Sequence, residues 1–377
     1  MQNSIKVLAL VALAFGAFSC AQESTVSQNV LEDRIVDAYV KQHPEWQGKK
    51  TESGLYIIKT DAVASGATPT LTDWVELKLT GETLDGNYFQ TTDTAVVSKL
   101  GYSLNFFHIV PDFLFMSGAM PQGIREALLT MKEGEKVKIL MPSYVGFGSY
   151  GAIKFGQMAL LPNVSVLPNY PVKFNLELVK VVSKPLVTDS LKVDSYVKAN
   201  PGFVDIKDKK IYLKELVKGS TALEDTIGKG TKIGVFYAGY FLDEMIYKAG
   251  NLFFNSNQRP YCFDTNIEEV GKSFYPYLVN YGLSNGVLQK SDTLNLEIKD
   301  DGSVVAAGSG GSMTEGFSLA IKKMTKNSEV NVVMTSKYVY GAPGRSSTDH
   351  KPSIAPYAPL RFYIKVVKVT NTKKTTT

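Results

Sequence analysis

Histidine and cysteine, on which most nucleophilic and metal chemistry depends, are nearly absent from this sequence. The three histidines are His43, His108 and His350, and none of them stands at metal-ligand spacing from another histidine, a cysteine or a pair of carboxylates. A Ser-His-Asp or Cys-His arrangement also needs a histidine beside its nucleophile, so the same scarcity argues against that chemistry. We therefore expect no bound metal and no cofactor.

A nucleotide site is excluded on different grounds. The segment GFGSYG, residues 146–151, has the glycine spacing of a dinucleotide-binding loop. The residues that follow it, AIKFGQMALLPN, show no amphipathic period and no helix cap. A phosphate would therefore lack the helix N-terminus that such sites provide.

The chain also lacks a block of positive charge. It has 41 basic and 36 acidic side chains, a formal net charge of +5 at pH 7, and its lysines are spread through the predicted strands. We therefore expect no nucleic acid partner, since phosphate binding needs a basic patch or stripe. With 44% hydrophobic and 20% charged residues the protein is expected to fold, and 377 residues suffice for two domains.

Long hydrophobic runs are missing apart from one near the N-terminus. Lys6 is followed by an apolar run of about a dozen residues, Val7 to Phe18, whereas a membrane-spanning helix needs roughly 20. This order is typical of a secretion signal. The run leads to Cys20 in a pattern that resembles a lipobox, in which cleavage leaves a lipidated cysteine at the N-terminus, although Ala17 stands where leucine is usual. Simple secretion and an uncleaved anchor are the alternatives.

The N-terminal region thus predicts a lipid-anchored protein of the cell envelope. Residues 1–20 form the signal peptide and residues 21–50 a polar tether with a short helix. We expect the lipid at Cys20 to hold the protein on a membrane, the outer membrane in particular, facing the periplasm or the cell surface. Cys262 then has no partner for a disulfide, so stability must come from packing.

An internal repeat explains the length of the chain. DAYVKQHP, at 37–44, returns as DSYVKANP at 194–201; LYIIK at 55–59 matches IYLKE at 211–215, and LTGETLDG at 79–86 matches YAGYFLDE at 237–244. The period is near 157 residues. We predict domain 1 at 51–183, a linker with a short helix at 184–204, and domain 2 at 205–370, with a long insertion at about 265–312 and a polar tail at 371–377.

Each copy combines alternating strands with one amphipathic helix. Val75, Leu77 and Leu79 alternate with polar residues, which predicts a strand with one buried face. The predicted helices carry apolar residues at helical spacing, namely Ile124, Leu128 and Met131 in the first copy and Phe317, Ile321 and Met324 in the second. Many strands with a single helix per unit predict an α+β fold, an antiparallel sheet packed on one helix.

Five motifs of the second copy occur in the order VFYAG, FDTN, MTEGF, KYVYGAPG and IAPYAPLRFYIKVVKV. In this order and spacing they resemble the FKBP-type peptidyl-prolyl cis-trans isomerase family, and the whole chain resembles tandem-domain bacterial lipoproteins of the Bacteroidetes type. The resemblance covers residues 51–182 and 205–369. It implies two tandem FKBP-like domains, each an antiparallel sheet curled around one short helix.

The resemblance also implies a pocket between sheet and helix in domain 2. Its catalytic residues would be Tyr237, Phe263, Asp264, Phe317, Tyr340 and Phe362, and its substrate-binding residues Met313, Thr314 and Ile354. Such a pocket needs no nucleophile, because the barrier of roughly 18 to 20 kcal/mol arises from amide resonance and a dry site disfavours the planar ground state. Phe317 stands where many members have tryptophan, which keeps an aromatic floor. The family holds the substrate carbonyl with the backbone N–H at the Thr314 position.

The first copy departs from this pattern at four positions. Leu79 replaces the pocket tyrosine, Gln90 the aspartate and Ile124 the floor aromatic, while Pro121 stands where the backbone N–H should be and has none. Four apolar residues remain, Phe89, Phe147, Val166 and Phe174. Domain 1 is therefore predicted not to catalyse, and two alternatives stay open: an apolar hollow that binds peptides, or a packed core without a site.

Two hypotheses for function follow. In the first, the protein accelerates isomerisation of proline bonds in exported polypeptides, a step slow enough to limit folding. In the second, both copies are non-catalytic binding modules of an envelope lipoprotein. The Tyr237, Asp264 and Tyr340 set favours the first hypothesis, because an idle copy is expected to lose it, as the first copy has.

Overall fold

The computed structural model describes residues 27–102, 108–151, 166–242, 245–248, 251–254, 261–267, 270, 293–346 and 352–371. Cys20 and the predicted signal peptide lie outside the described residues. Among the described residues, no helix is long and apolar enough to span a membrane. The fold is α+β, as predicted, with two antiparallel sheets that follow one another along the chain.

The first sheet lies between residues 56 and 182. Within the described residues its six strands are β1 (Tyr56–Asp61), β2 (Trp74–Thr83), β3 (Tyr88–Thr91), β4 (Asp112–Phe115), β5 (Lys136–Met141) and β6 (Val172–Val182). They pair in the order β1-β5-β6-β2-β3, and β4 pairs with the first half of β2. Alternate residues of β6 are buried, as in a strand with one buried face, whereas in β2 Glu76 and Thr80 are buried as well as the apolar residues between them.

The described part of the first domain contains two α-helices, α2 (Thr94–Lys99) and α3 (Gln122–Thr130). Ile124 and Leu128, four residues apart on α3, are fully buried against the sheet, and Met131 directly after the helix is buried with them. Gly134 then takes a φ of 91° and its N–H donates to Leu178 of β6. This turn directs the chain from the helix into β5.

The second sheet repeats the plan between residues 204 and 371. Its eight described strands are β7 (Val204–Lys207), β8 (Ile211–Val217), β9 (Thr231–Phe241), β12 (Cys262–Thr265), β13 (Leu294–Ile298), β14 (Val304–Ala306), β15 (Glu329–Met334) and β16 (Leu360–Asn371). The order is β14-β13-β9-β16-β15-β8-β7, with β12 paired to β9. Strands β10 (Met245–Lys248) and β11 (Asn251–Phe254) form a separate hairpin. Helix α5 (Glu315–Ile321) buries Phe317 and Ile321.

Part of the segment predicted as a long insertion, at about 265–312, pairs with the sheet. Strand β13 pairs with β9 as β4 pairs with β2, and β14 extends the same edge. Residues 294–306 therefore belong to the sheet. The sequence LNLEI of β13 alternates apolar and polar residues, and Gly302 and Ser303 lie in the tight turn between β13 and β14.

Each sheet is packed against a helix that precedes it in the chain. Helix α1 (Gln28–Gln42) buries Val36 beside Trp46, Tyr56 and Leu140 of the first domain. Helix α4 (Pro185–Ala199) buries Val193 and Tyr196 beside Leu242 and Val333 of the second. The segments predicted as a tether and a linker thus contribute these helices to the cores of the two domains.

The two domains meet along several side chains. The ring of His108 stacks on Phe241 with centroids 4.0 Å apart, and Trp74 lies edge-on to Tyr357 at 5.2 Å. The Lys192 amine of α4 lies 3.1 Å from a carboxylate oxygen of Glu76 on β2. A cavity of about 500 Å³ lies between the domains at this contact.

Candidate functional site

Three aromatic rings of the second domain form a cup. Phe263 comes from β12, Phe362 from β16 and Phe317 from α5, so sheet and helix both contribute. The ring centroids of Phe263 and Phe362 are 5.7 Å apart and those of Phe317 and Phe362 are 5.6 Å apart, both in edge-to-face geometry. This arrangement is favourable for the ring quadrupoles, and all three side chains are at most 5% exposed.

A glycine lets the rings approach the sheet. Gly239 is paired with Phe362 across β9 and β16 and with Asp264 across β9 and β12. A Cβ atom at this position would lie 2.6 Å from the tip of the Phe263 ring and 2.9 Å from the Phe362 ring. The floor of the cup therefore requires the absence of a side chain at residue 239.

Tyr237 and Asp264 lie on the polar side of the cup. The Tyr237 ring is edge-on to Phe317 at 6.0 Å, so its apolar part joins the cup. Burial raises the pKa of Tyr237 well above its usual range, and the charge of Asp264 and the hydrogen bond that the phenol donates to it raise this pKa further. Tyr237 thus stays protonated and orients the carboxylate.

Tyr340 lies on the loop between β15 and β16. A short helical turn, Ser336–Tyr338, precedes it, and Gly341 follows with a φ of 60°. Ile354 is 2% exposed and exchanges two backbone hydrogen bonds with Arg345, 2.8 and 2.9 Å long. These bonds join Arg345 to Ile354 on the far side of the segment between them.

Thr314 is the N-cap residue directly before α5, with φ −58° and ψ 150°. The preceding N–H, that of half-buried Met313, donates to the carbonyl of Val304 at 3.0 Å. The N–H of Thr314 donates to no other described residue. A backbone donor therefore remains available at the position that the resemblance assigned to the substrate carbonyl.

Arg345 is a site residue that the sequence did not indicate. Its guanidinium lies 5.5 Å from the ring centroid of Phe263 and 5.3 Å from that of Tyr340. Its Nη1 donates to the Tyr340 hydroxyl at 3.4 Å and lies 3.9 Å from a carboxylate oxygen of Asp264. Because the guanidinium donates to the phenol oxygen, the phenol proton is left to be donated elsewhere. No spacing pattern marks this arginine, since it lies in an irregular loop.

The site contains no activated nucleophile. Cys262, beside Phe263, is fully buried, and burial raises the pKa of its thiol to about 12. Among the described residues no group of three histidine, cysteine or acidic side chains is arranged to hold a metal ion. What the arrangement offers is an apolar cup with oriented hydrogen-bond donors at its edge.

The first domain contains the same framework with different polar groups. Phe89 and Phe174 are edge-to-face at 5.4 Å, Phe147 lies 6.1 Å from Phe89, and a Cβ atom at Gly81 would lie 2.6 Å from Phe89. Gly81 pairs with Phe174 and with Gln90 as Gly239 pairs with Phe362 and Asp264. Leu79, Pro121, Ile124 and Val166 take the places of Tyr237, Thr314, Phe317 and Ile354. All these side chains are buried or nearly so.

Comparison with protein families agrees with this geometry. The model of the family "FKBP-type peptidyl-prolyl cis-trans isomerase" matches residues 66–179 and again residues 224–367, more than half of the chain. The chain therefore belongs to the FKBP-type peptidyl-prolyl cis-trans isomerases, and it contains two copies of the domain in tandem. The matches begin after α1 and after α4 respectively.

Several solved structures are similar to the chain. The three FKBP domains of wheat FKBP73 are 16% identical, over 85% of this chain and 96% of that one, with a TM-score of 0.28. A peptidyl-prolyl cis-trans isomerase of Pseudomonas syringae is 19% identical, over 42% and 99%, with a TM-score of 0.31. FkpA of Escherichia coli is 22% identical, over 49% and 75%, with a TM-score of 0.30. A comparison with curated proteins finds no match.

Proposed function

We propose that the second domain catalyses cis-trans isomerisation of the peptide bond before proline, and that the first domain does not. The observation that carries the proposal is the cluster of Phe263, Phe317 and Phe362 together with the Thr314 N–H, which donates to no other described residue. In the proposal a proline ring would lie against these rings and the Thr314 N–H would donate to a substrate carbonyl. Membership in an isomerase family supports the same activity.

The chemistry follows from the environment of the amide. Rotation about the C–N bond removes its resonance and makes the group less polar, so exclusion of water favours the twisted state over the planar one. The Thr314 N–H and the Tyr340 hydroxyl would fix the carbonyls on either side of the rotating bond. Asp264, oriented by Tyr237, would be the carboxylate nearest to that bond. Met313 and Ile354 would line the entrance.

The first domain lacks the polar part of this machinery. Pro121 has no N–H, and Leu79 and Gln90 offer neither the phenol nor the carboxylate. Its aromatic residues Phe89 and Phe174 are packed and buried like those of the second domain, so the domains differ in the polar groups. We propose a structural role or peptide binding for this domain.

The clients are proposed to be proline-containing polypeptides exported to the cell envelope. The support is the apolar run before Cys20 in the sequence, which is typical of a secretion signal and suits lipidation of that cysteine. Intact mass and detergent partitioning of the protein isolated from membranes test this. An unmodified N-terminus that still carries Met1, or a protein that does not enter the detergent phase, would contradict lipid anchoring.

The activity is tested on the full chain with a proline tetrapeptide. We expect acceleration of isomerisation that Phe362→Ala and Tyr340→Phe reduce by about tenfold or more, because each removes a wall or a donor. Phe174→Ala, the same change in the first domain, is the matched control and should leave the rate unchanged. A folded parent with no rate above a heat-inactivated sample would favour the alternative, a non-catalytic binding lipoprotein.

A further inference from the structure

Both domains share a buried carboxylate that accepts hydrogen bonds from the first residue of the short helical turn after β5 or β15. In the second domain both the N–H and the hydroxyl of Ser336 donate to Oδ2 of Asp189 on α4, at 2.8 and 2.6 Å. In the first domain the N–H and the hydroxyl of Ser143 donate to the two carboxylate oxygens of Glu32 on α1. Asp189 and Glu32 are 157 residues apart, which is the period of the repeat.

Ser336 connects this carboxylate to Tyr340. Its carbonyl accepts the N–H of Val339 at 2.9 Å and that of Gly341 at 2.8 Å, the residues on either side of Tyr340. Asp189 thus accepts from the N–H and hydroxyl of Ser336, while the carbonyl of Ser336 accepts from the two residues beside Tyr340. A displacement of Ser336 would therefore move both neighbours of Tyr340 together.

The loop also contacts the helix that carries the cup floor. Gly316, beside Phe317 in the first turn of α5, lies so close to Tyr338 that a Cβ atom would be 3.0 Å from the Tyr338 carbonyl oxygen. Tyr338 is buried at 7% exposure. The short turn that Asp189 holds is thus packed between α4 and α5, and its position affects the aromatic floor as well as Tyr340.

We propose that Asp189 is a positioning residue for catalysis by the second domain, acting through Ser336 on the loop that carries Tyr340. This inference rests on the proposed function. It implies that the helix α4, which lies outside the region matched by the family model, is part of the catalytic unit.

The position of Asp189 makes this contact sensitive to pH. The side chain is 2% exposed, and its second oxygen, Oδ1, is buried without a hydrogen-bond partner among the described residues. Burial raises its pKa to about 6, although the bonds from Ser336 and the charges of Lys192 and Lys210 act in the opposite direction. Protonation near this pH weakens the hydrogen bonds that Ser336 donates, because a carboxylate is the stronger acceptor.

Other charged groups surround Asp189. Lys192 lies on its own helix and pairs with Glu76, and Lys210 donates to Ser190. Lys78, Glu177 and His108 line the same interdomain cavity as Asp189. Helix α4 also packs beside β11, Asn251–Phe254, a segment without a titratable side chain. Of these groups, His108 is the one to exclude experimentally, because it lines the same cavity as Asp189 and stacks on Phe241 at the contact between the domains.

The test is the pH dependence of kcat/KM between pH 5 and 8, measured on full-length variants. We expect the parent to lose activity with an apparent pKa near 6 as the pH falls. Asp189→Asn keeps an acceptor for Ser336 but cannot titrate, so its profile should be flat below the level of the parent at pH 8. Asp189→Ala removes the acceptor and should lower kcat/KM about tenfold.

The controls test whether the pH dependence of kcat/KM arises at Asp189. Glu32→Gln, the same change in the first domain, should leave rate and profile unchanged, and His108→Phe should keep the inflection. A parent inactive at every pH would refute the proposed function itself. An active parent whose profile is unchanged in Asp189→Asn, or an inflection that disappears in His108→Phe instead, would overturn the inference on Asp189 and leave the proposed function intact.

Discussion

Pro121 and Thr314 occupy the same place in the two domains. Each residue is the N-cap of the helix under its aromatic residues, with φ and ψ of −54° and 140° for Pro121 and −58° and 150° for Thr314. The φ of Thr314 is within the range that a proline ring imposes. The two domains therefore differ at this position by one backbone hydrogen rather than by the path of the chain.

This relationship predicts the effect of Thr314→Pro in the second domain. The variant should fold, because the backbone already has a proline-compatible φ, and it should lose about ten- to a hundredfold in kcat/KM because it lacks the N–H. Thr314→Ala retains the N–H and should keep the activity. Circular dichroism establishes folding and the tetrapeptide assay the rate. Full activity of folded Thr314→Pro would show that this N–H does not bind the substrate.

The pair Tyr237 and Asp264 should act as a unit. Asp264→Asn keeps the shape but removes the charge, and we expect turnover to fall about tenfold while the fold is retained. Tyr237→Phe removes the hydroxyl that orients the carboxylate and should have a smaller effect of the same sign. In a double-mutant cycle the second change should cost less than it does alone, because the interaction is already lost. Additive effects would mean that the two groups act separately.

Alanine substitutions at two glycines test whether the close contact between the sheet backbone and the aromatic rings matters for stability, for activity or for both. Gly239→Ala should destabilise the protein by about 1–3 kcal/mol, because the new methyl group overlaps the Phe263 and Phe362 rings, and it should lower the rate. Gly81→Ala makes the same overlap with Phe89 and Phe174 and should destabilise the protein without changing the rate. Urea unfolding and the tetrapeptide assay measure the two effects. A loss of rate in Gly81→Ala would place activity in the first domain.

The sequence predicted the parts of the fold that depend on local patterns. The repeat, the helix with Ile124 and Leu128, and the strand with Val75, Leu77 and Leu79 all appear in the structure where the patterns placed them, although Glu76 and Thr80 on the other face of that strand are also buried. Strand β13 was missed although its sequence LNLEI alternates apolar and polar residues, because it follows directly on the segment between Thr265 and Leu294, which carries no periodic signal. Its pairing with β9, a long-range contact, shows that it belongs to the sheet.

The candidate site was predicted to a similar extent. The aromatic residues could be named because they stand in short motifs, and the structure brings Phe263, Phe317 and Phe362 together. Arg345 and Asp189 could not be named, because their roles arise from contacts with residues far away in the chain. Asp189 and Ser336 are 147 residues apart, and nothing about either residue alone indicates a hydrogen bond between them.

The buried carboxylate of Asp189 should also appear in the stability of the protein. Its pKa is raised from 3.8 to about 6 in the folded state, so between about pH 4 and pH 6 the folded state holds a proton that the unfolded state has released. The contribution of this group to the free energy of unfolding therefore falls as the pH rises through that window, by about 3 kcal/mol in total, at about 1.4 kcal/mol per pKa unit. Asp189→Asn lacks this contribution.

The stability of Asp189→Asn relative to the parent should therefore increase by about 3 kcal/mol between pH 4 and pH 6.5, as measured by urea unfolding at several pH values. Taking the difference between variant and parent cancels the other carboxylates, several of which have lowered pKa values and act in the opposite direction. Ser336→Ala provides the control. It removes one of the hydrogen bonds that lower the Asp189 pKa, so its stability should fall over a window that extends to higher pH. Parallel pH profiles for the parent and Asp189→Asn would show that the charge of Asp189 carries no cost in the folded protein. The expected outcome is a buried carboxylate that lowers stability at neutral pH while it holds the Tyr340 loop, which is the pattern of a residue retained for its position rather than for stability.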